Sequence, residues 1–198
     1  MPRPRQFTES DFIDVAISYF SANSFKNASM RKLALRADVS CGSLYNAFGN
    51  KQSMFRRALI RSVDRSFRPG IQSDQHRLSP LPTIERFFAE AIQAYAQPAK
   101  NDGRLLLRAG FESGIIDTES AELVSATIEA IESYLTGRVA AGQIAGEIIN
   151  TQPAEDLGGL LLTTFLGLII LFRLRPERRY LEETTSSTLH QLKVSKID

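Results

Sequence analysis

The stretch from Ser29 to Lys51, SMRKLALRADVSCGSLYNAFGNK, decides the fold. Ser29 and Ser40 are N-cap residues, each standing before a short run with one apolar face. Leu33, Ala34 and Ala37 form the inward face of a first helix that stops at Asp38. Val39 and Leu44 flank the second cap at the spacing of a hydrophobic staple, and this helix spans roughly Cys41 to Ala47. Two short helices joined by a turn of three or four residues make a helix-turn-helix when other helices support them.

The supports lie on either side. Thr8 and Asp11 form a variant capping box, and Phe7 and Phe12 form a staple around it. Phe12, Ala16 and Phe20, joined by Ile13 and Ile17, make the buried stripe of a helix that ends near Asn23 and Ser24. Asn50 caps a fourth helix, which carries Met54, Phe55 and Leu59 towards Phe67, where Pro69-Gly70 stops it.

The run from Phe7 to Ser62 resembles the DNA-binding domain of the TetR family of regulators. The resemblance rests on Leu33-Ala34, Ala37, Val39 and Ser40 in the second helix and turn, on Gly42-Ser43-Leu44-Tyr45 in the recognition helix, and on Phe48 and Asn50-Lys51 after it. Three positions depart from the family pattern. Ser24 and Asp38 stand where glycine is usual, and Ala47 stands where His or Tyr is common. Asp38 can adopt the left-handed conformation at modest cost.

A short recognition helix with small polar groups on its N-terminal face can approach base edges in the major groove. Ser40, Gly42 and Ser43 are small enough, with Tyr45 and Asn46 on the next turn. Arg31 and Lys51 sit where the starts of helices two and four would meet phosphates. The resemblance implies phosphate contacts for Tyr45 and Lys51; Ser43 and Asn46 are the expected base readers. Arg3 and Arg5 on the N-terminal arm could reach the minor groove or the backbone. Charge agrees in sign: residues 1–64 carry ten Lys/Arg against five Asp/Glu, and residues 65–198 carry fourteen against seventeen. A basic module joined to a mildly acidic one suits a polyanion partner for the former.

The expected architecture is all-α, with about nine helices. Residues 1–64 form the helix-turn-helix domain and residues 65–198 a helical ligand-binding and dimerisation domain. Helices are expected at about Thr83–Ala96 and Arg104–Glu112, and from Asp117 or Thr118 through Val139. Another starts at Thr151 with Pro153 just inside it, and the last runs from Pro176 to about Leu192. Leu157 to Phe172, LGGLLLTTFLGLIILF, is uncharged but short of the ~18–20 residues that span a bilayer. It reads as a helix buried between others, with no membrane partner.

Dimerisation lets a short recognition helix read two half-sites. The expected interface is the last two helices, as the family typically builds, with Leu160, Leu161, Phe165, Leu168, Ile169 and Phe172 supplying apolar area. Gly158, Gly159 and Gly167 would allow close approach. The resemblance further implies a repressor released from double-stranded DNA by a small apolar or aromatic effector. Its candidate contacts are Phe88, Tyr95, Arg108, Phe111, Tyr134 and Thr163, with Glu112 and Thr164 as further polar groups.

No catalytic constellation, phosphate-binding glycine loop or nucleophile motif is present, which argues against an enzyme. His76 and His190 lack metal-ligand spacing, and a single cysteine, Cys41, forms no intramolecular disulfide and suits a reducing cytoplasm. No cofactor is expected.

Overall fold

The computed structural model describes residues 8–67, 78–95, 103–175 and 177–194. Among them are nine α-helices and no strand: α1 Glu9–Ala22, α2 Met30–Arg36, α3 Cys41–Phe48, α4 Lys51–Ser66, α5 Pro80–Tyr95, α6 Arg104–Phe111, α7 Thr118–Ile144, α8 Ala154–Leu174 and α9 Arg178–His190. A 3-10 turn, Gln191–Lys193, follows α9.

Local chemistry sets most boundaries. Thr8 and Asp11 form the reciprocal capping box of α1. Ser29, Ser40 and Asn50 each accept a backbone N–H from the residue three positions on. Three starts differ from the sequence expectation. The helix expected from Thr83 begins at Pro80, because Pro80 and Pro82 occupy its first turn, where a missing N–H costs nothing. Thr151 does not cap α8; Pro153 occupies that position, while the Asn150 side chain accepts the Gln152 N–H at 3.0 Å. The last helix begins at Arg178, not Pro176.

The chain forms two compact units, Met1–Ser66 with Asp102–Ala126, and Phe67–Asn101 with Thr127–Asp198. In the first, α1 and α4 pack on each other and both touch α6. Their core is aromatic: Phe55 lies edge-on to Phe20 at 5.1 Å and to Phe25 at 5.0 Å, and Phe12 contacts Phe48 at 5.7 Å. Thus α6 and the start of α7 cluster with the four N-terminal helices.

In the second unit α8 packs on α9 and α5. Leu157, Leu161, Leu162, Phe165, Leu168 and Ile169 of α8 are buried there. Phe165 meets Phe87 at 4.9 Å and Phe67 at 6.2 Å. By length and composition α8 could cross a membrane, with a mean hydropathy of 2.1 over its best window, of which 39% is buried. One of its faces is open in the single chain.

Candidate nucleic-acid interface

The turn between α2 and α3 fixes the recognition helix. At the end of α2 the Val39 N–H donates to the Ala34 carbonyl at 3.0 Å, and the Asp38 N–H donates to Leu35 at 3.2 Å. Asp38 between them has φ 54°, so the three residues complete a Schellman motif without the usual glycine. The chain leaves this turn directly into the Ser40 cap. Tyr19 of α1 steadies the other end of the unit: its hydroxyl accepts the Ser29 N–H at 3.0 Å and donates to the Ser29 carbonyl at 3.3 Å. Glu112 contributes a further tie, its buried carboxylate accepting the Phe25 N–H at 2.7 Å. Neither Tyr19 nor Glu112 was legible in this role. Tyr19 reads as one more member of the α1 stripe, and Glu112 lies 87 positions from its partner.

On this frame α3 buries Leu44 and Phe48 and turns the rest of its surface outward. Ser40, Gly42, Ser43, Tyr45 and Asn46 are all exposed. Tyr45 is 47% exposed, so it is not a core tyrosine. Ser40 Oγ lies 2.8 Å from Ser43 Oγ and accepts the Ser43 N–H at 3.0 Å. Gly42 has open space: an added Cβ would meet only Ser40 Oγ, at an ordinary 3.7 Å. Arg31 is exposed in the first turn of α2. Lys51 opens α4 with its ammonium 4.7 Å from the Phe25 ring centroid and 3.4 Å from the Lys26 carbonyl. Cys41 is free and half-buried. Phe7, Arg3 and Arg5 lie outside the described residues.

The α1–α4 contact that carries this surface is held by charge at its exposed edge. Asp14 accepts from Arg61 Nε at 2.7 Å and from Arg65 at 2.6 Å, and Glu9 pairs with Arg57. Burial pushes the Asp14 carboxyl upward, but the hydrogen bonds and positive charge of Arg61 and Arg65 outweigh it and hold it below the usual range.

The effector candidates are divided between the two units. Arg108 and Phe111 belong to the first unit, while Phe88, Tyr95, Tyr134 and Thr163 belong to the second. Phe111 is 77% exposed and Phe88 fully buried in the core. Thr163 is exposed, Thr164 half-buried, and Tyr134 half-buried with its hydroxyl closed off from solvent. The Tyr95 side chain and His76 lie outside the described residues, and Glu112 is engaged with Phe25. A groove of about 320 Å³ runs instead between α5 and α9, floored by Ile92, Thr185 and Leu189 and flanked by the Glu85–Lys193 pair.

The interface candidates divide by face. Leu161, Phe165, Leu168 and Ile169 are buried within the protomer, so its own core occupies them, whereas Leu160 is exposed and Phe172 half-buried. The face opposite the core carries Leu160, Thr163, Gly167, Ile170 and Leu174 at alternating steps of three and four. The glycines divide in the same way. A Cβ on Gly158 would meet Thr136 of α7, including its Cα at 3.0 Å, whereas one on Gly167 would meet nothing within 4 Å.

Residues 12–58 match the family model of bacterial regulatory proteins of the tetR family. No curated protein matches the chain in sequence. Among solved structures, it resembles the TetR family transcriptional regulator CifR, a cysteine mutant complexed with a 26-base-pair double-strand operator DNA. The TM-score is 0.81 and the identity 22%, covering 96% of this chain and 99% of that one. A TetR-family regulator from Agrobacterium tumefaciens aligns with a TM-score of 0.83 at 14% identity, over 92% and 96% of the two chains. The MbdR regulator from Azoarcus sp. CIB aligns at 0.79 and 16%, over 93% and 98%. Residues 12–58 thus match the tetR family model, and the chain around them has the fold of these regulators.

Proposed function

We propose that the protein is a homodimeric cytoplasmic repressor that binds a palindromic operator through α3 and releases it when a small molecule binds the C-terminal unit. The observation that carries the DNA half is the outward surface of α3. Ser40, Gly42, Ser43, Tyr45 and Asn46 are all exposed, and a helical glycine costs about 1 kcal/mol relative to alanine. Gly42 has room for a methyl group in the free protein, so its advantage lies in letting backbone approach a base edge closely. Arg31 at the start of α2 and Lys51 at the start of α4 place positive charge beside free backbone N–H groups, the arrangement that phosphates favour. The operator-bound CifR relative supports the same reading.

The homodimer rests on the open stripe of α8. Leu174 is 72% exposed, and Leu160 and Ile170 join it in a row that solvent makes costly and a second copy would cover. On α9, Thr184, Ser187 and Thr188 donate to carbonyls of their own helix at 2.9 to 3.1 Å. These hydroxyls can be buried in a four-helix contact without losing their partners.

Selection of bound duplexes from a random DNA pool tests the DNA reading. An enriched palindrome, lost in the Tyr45→Ala/Lys51→Ala double variant and weakened steeply by salt, is the expected result. Absence of enrichment at low salt overturns specific binding by the free protein.

A further inference from the structure

The second unit holds a polar cluster that neither DNA binding nor dimerisation uses. Tyr134 of α7 has a hydroxyl closed off from solvent and without a hydrogen-bond partner, and so has the Nε of Arg138, one turn along the same helix. The Arg138 guanidinium carbon lies 5.9 Å from the Tyr134 ring centroid. The ring also meets Phe87 of α5 at 6.0 Å, and Phe87 in turn meets Phe165. Beside Phe87 stands Arg86, its Nε 3.7 Å from the Glu90 carboxylate, which is within ion-pair range but too long for a hydrogen bond.

The cluster therefore contains two guanidinium groups, one carboxylate and one phenol against an aromatic wall. Its orphaned groups are an N–H that can only donate and a phenol O–H that donates readily. Burial raises the Tyr134 pKa, as does the charge of Glu90, while Arg138 and Arg86 pull it down; the net shift is upward, so the phenol keeps its proton at neutral pH. A buried phenol O–H and a buried guanidinium Nε–H, each without an acceptor, are costly in the free protein, and an incoming oxygen acceptor removes that cost. A single negative charge matches the cluster, whereas Glu90 opposes a dianion.

We propose that Tyr134 and Arg138, with Arg86 supplying further positive charge, form the effector-recognition site. Its ligand class is monocarboxylic acids with an aromatic or apolar body, the carboxylate seated on Arg138 and Tyr134 and the body against Phe87. This rests on the effector-released reading given above and assigns the chemistry of the effector.

The test uses the full chain and a set of acids, benzoate, phenylpropanoate and octanoate, each beside its neutral amide, with phenyl phosphate as the dianionic arm. Calorimetric titration is expected to show at least one acid binding about tenfold or more tighter than its amide and than phenyl phosphate. Tyr134→Phe and Arg138→Gln should each lose most of that preference while keeping the helical circular dichroism of the parent. Should either variant fail to fold, Arg138→Lys, which keeps the charge but lacks the Nε donor, must lower the acid affinity on its own. Equal binding of acid and amide, no binding by any acid, or unchanged affinity in folded variants overturns the assignment. Operator binding measured in parallel separates the two readings. Acid that binds at Tyr134 without releasing DNA removes the effector-release reading and leaves the site. Operator binding by a protein indifferent to every acid removes the site alone.

Discussion

Asp38 and Gly146 hold the same backbone role with different chemistry. Gly146, φ 72°, ends α7 in a second Schellman motif, with the Glu147 N–H donating to Gly142 at 2.9 Å and the Gly146 N–H to Gln143 at 3.2 Å. Left-handed backbone costs an L-residue about 1–2 kcal/mol, less for Asp, and glycine gives part of that back as chain entropy. Asp38→Gly is therefore expected to raise stability by about 0.5 kcal/mol, measured by urea unfolding. A destabilised variant would show that the Asp38 side chain contributes more than its backbone angle costs. Gly158 and Gly167 make a sharper pair. Gly158→Ala forces a methyl group against the Thr136 backbone and should cost about 1–3 kcal/mol. Gly167→Ala, with open space around it, should leave the stability of the single chain unchanged or slightly raised by helix propensity. The same denaturation series, run at concentrations low enough to dissociate any dimer, reads both.

At the scale of elements, the α1–α4 contact depends on pH in a direction that the Asp14 cluster sets. Its carboxyl is held below its ordinary value in the folded state. The stability it provides is thus fully present above the unfolded value, about 3.9, and is lost as pH falls through the lower folded value. Asp14 is partly exposed and screened, so its share is about 0.5 kcal/mol or less. Asp14→Asn should lower stability slightly at pH 7 and flatten the decline below pH 4, followed by thermal melts across that range. An unchanged acid limb would assign acid sensitivity to other carboxylates. The boundaries of these elements were largely written locally. Thr8, Ser29, Ser40 and Asn50 name their own roles because a cap is satisfied within three residues. Pro153 and the Pro80 start were not legible in the same way, since prolines stop one helix and open another with equal ease.

For the whole molecule, the decisive question is which face of α8 points outward. Its composition suggests burial on all sides, and one sequence cannot say whether its own chain or a copy does the covering. The fold gives Leu161, Phe165, Leu168 and Ile169 to the protomer and leaves Leu160, Ile170 and Leu174 open. Ile170→Glu should accordingly convert a dimer to a monomer in sedimentation while leaving the circular dichroism intact. The same change at Phe165 should unfold the C-terminal unit instead. If Ile170→Glu remains dimeric, the stripe is not the interface.

What the sequence by itself determined was the helix-turn-helix. Caps, staples and apolar steps act over three to eight residues, and the spacing of Leu33, Val39, Leu44 and Tyr45 repeats them in a recognisable order. The tertiary structure decided what depends on contacts between distant segments. Glu112 reaches the Phe25 backbone, a methyl group on Gly158 would meet Thr136, and Tyr134 meets Phe87 across two helices while its hydroxyl and the Nε of Arg138 stay unmatched. Such contacts follow from how helices pack, and packing is set by the summed fit of many side chains. No local pattern carries that information.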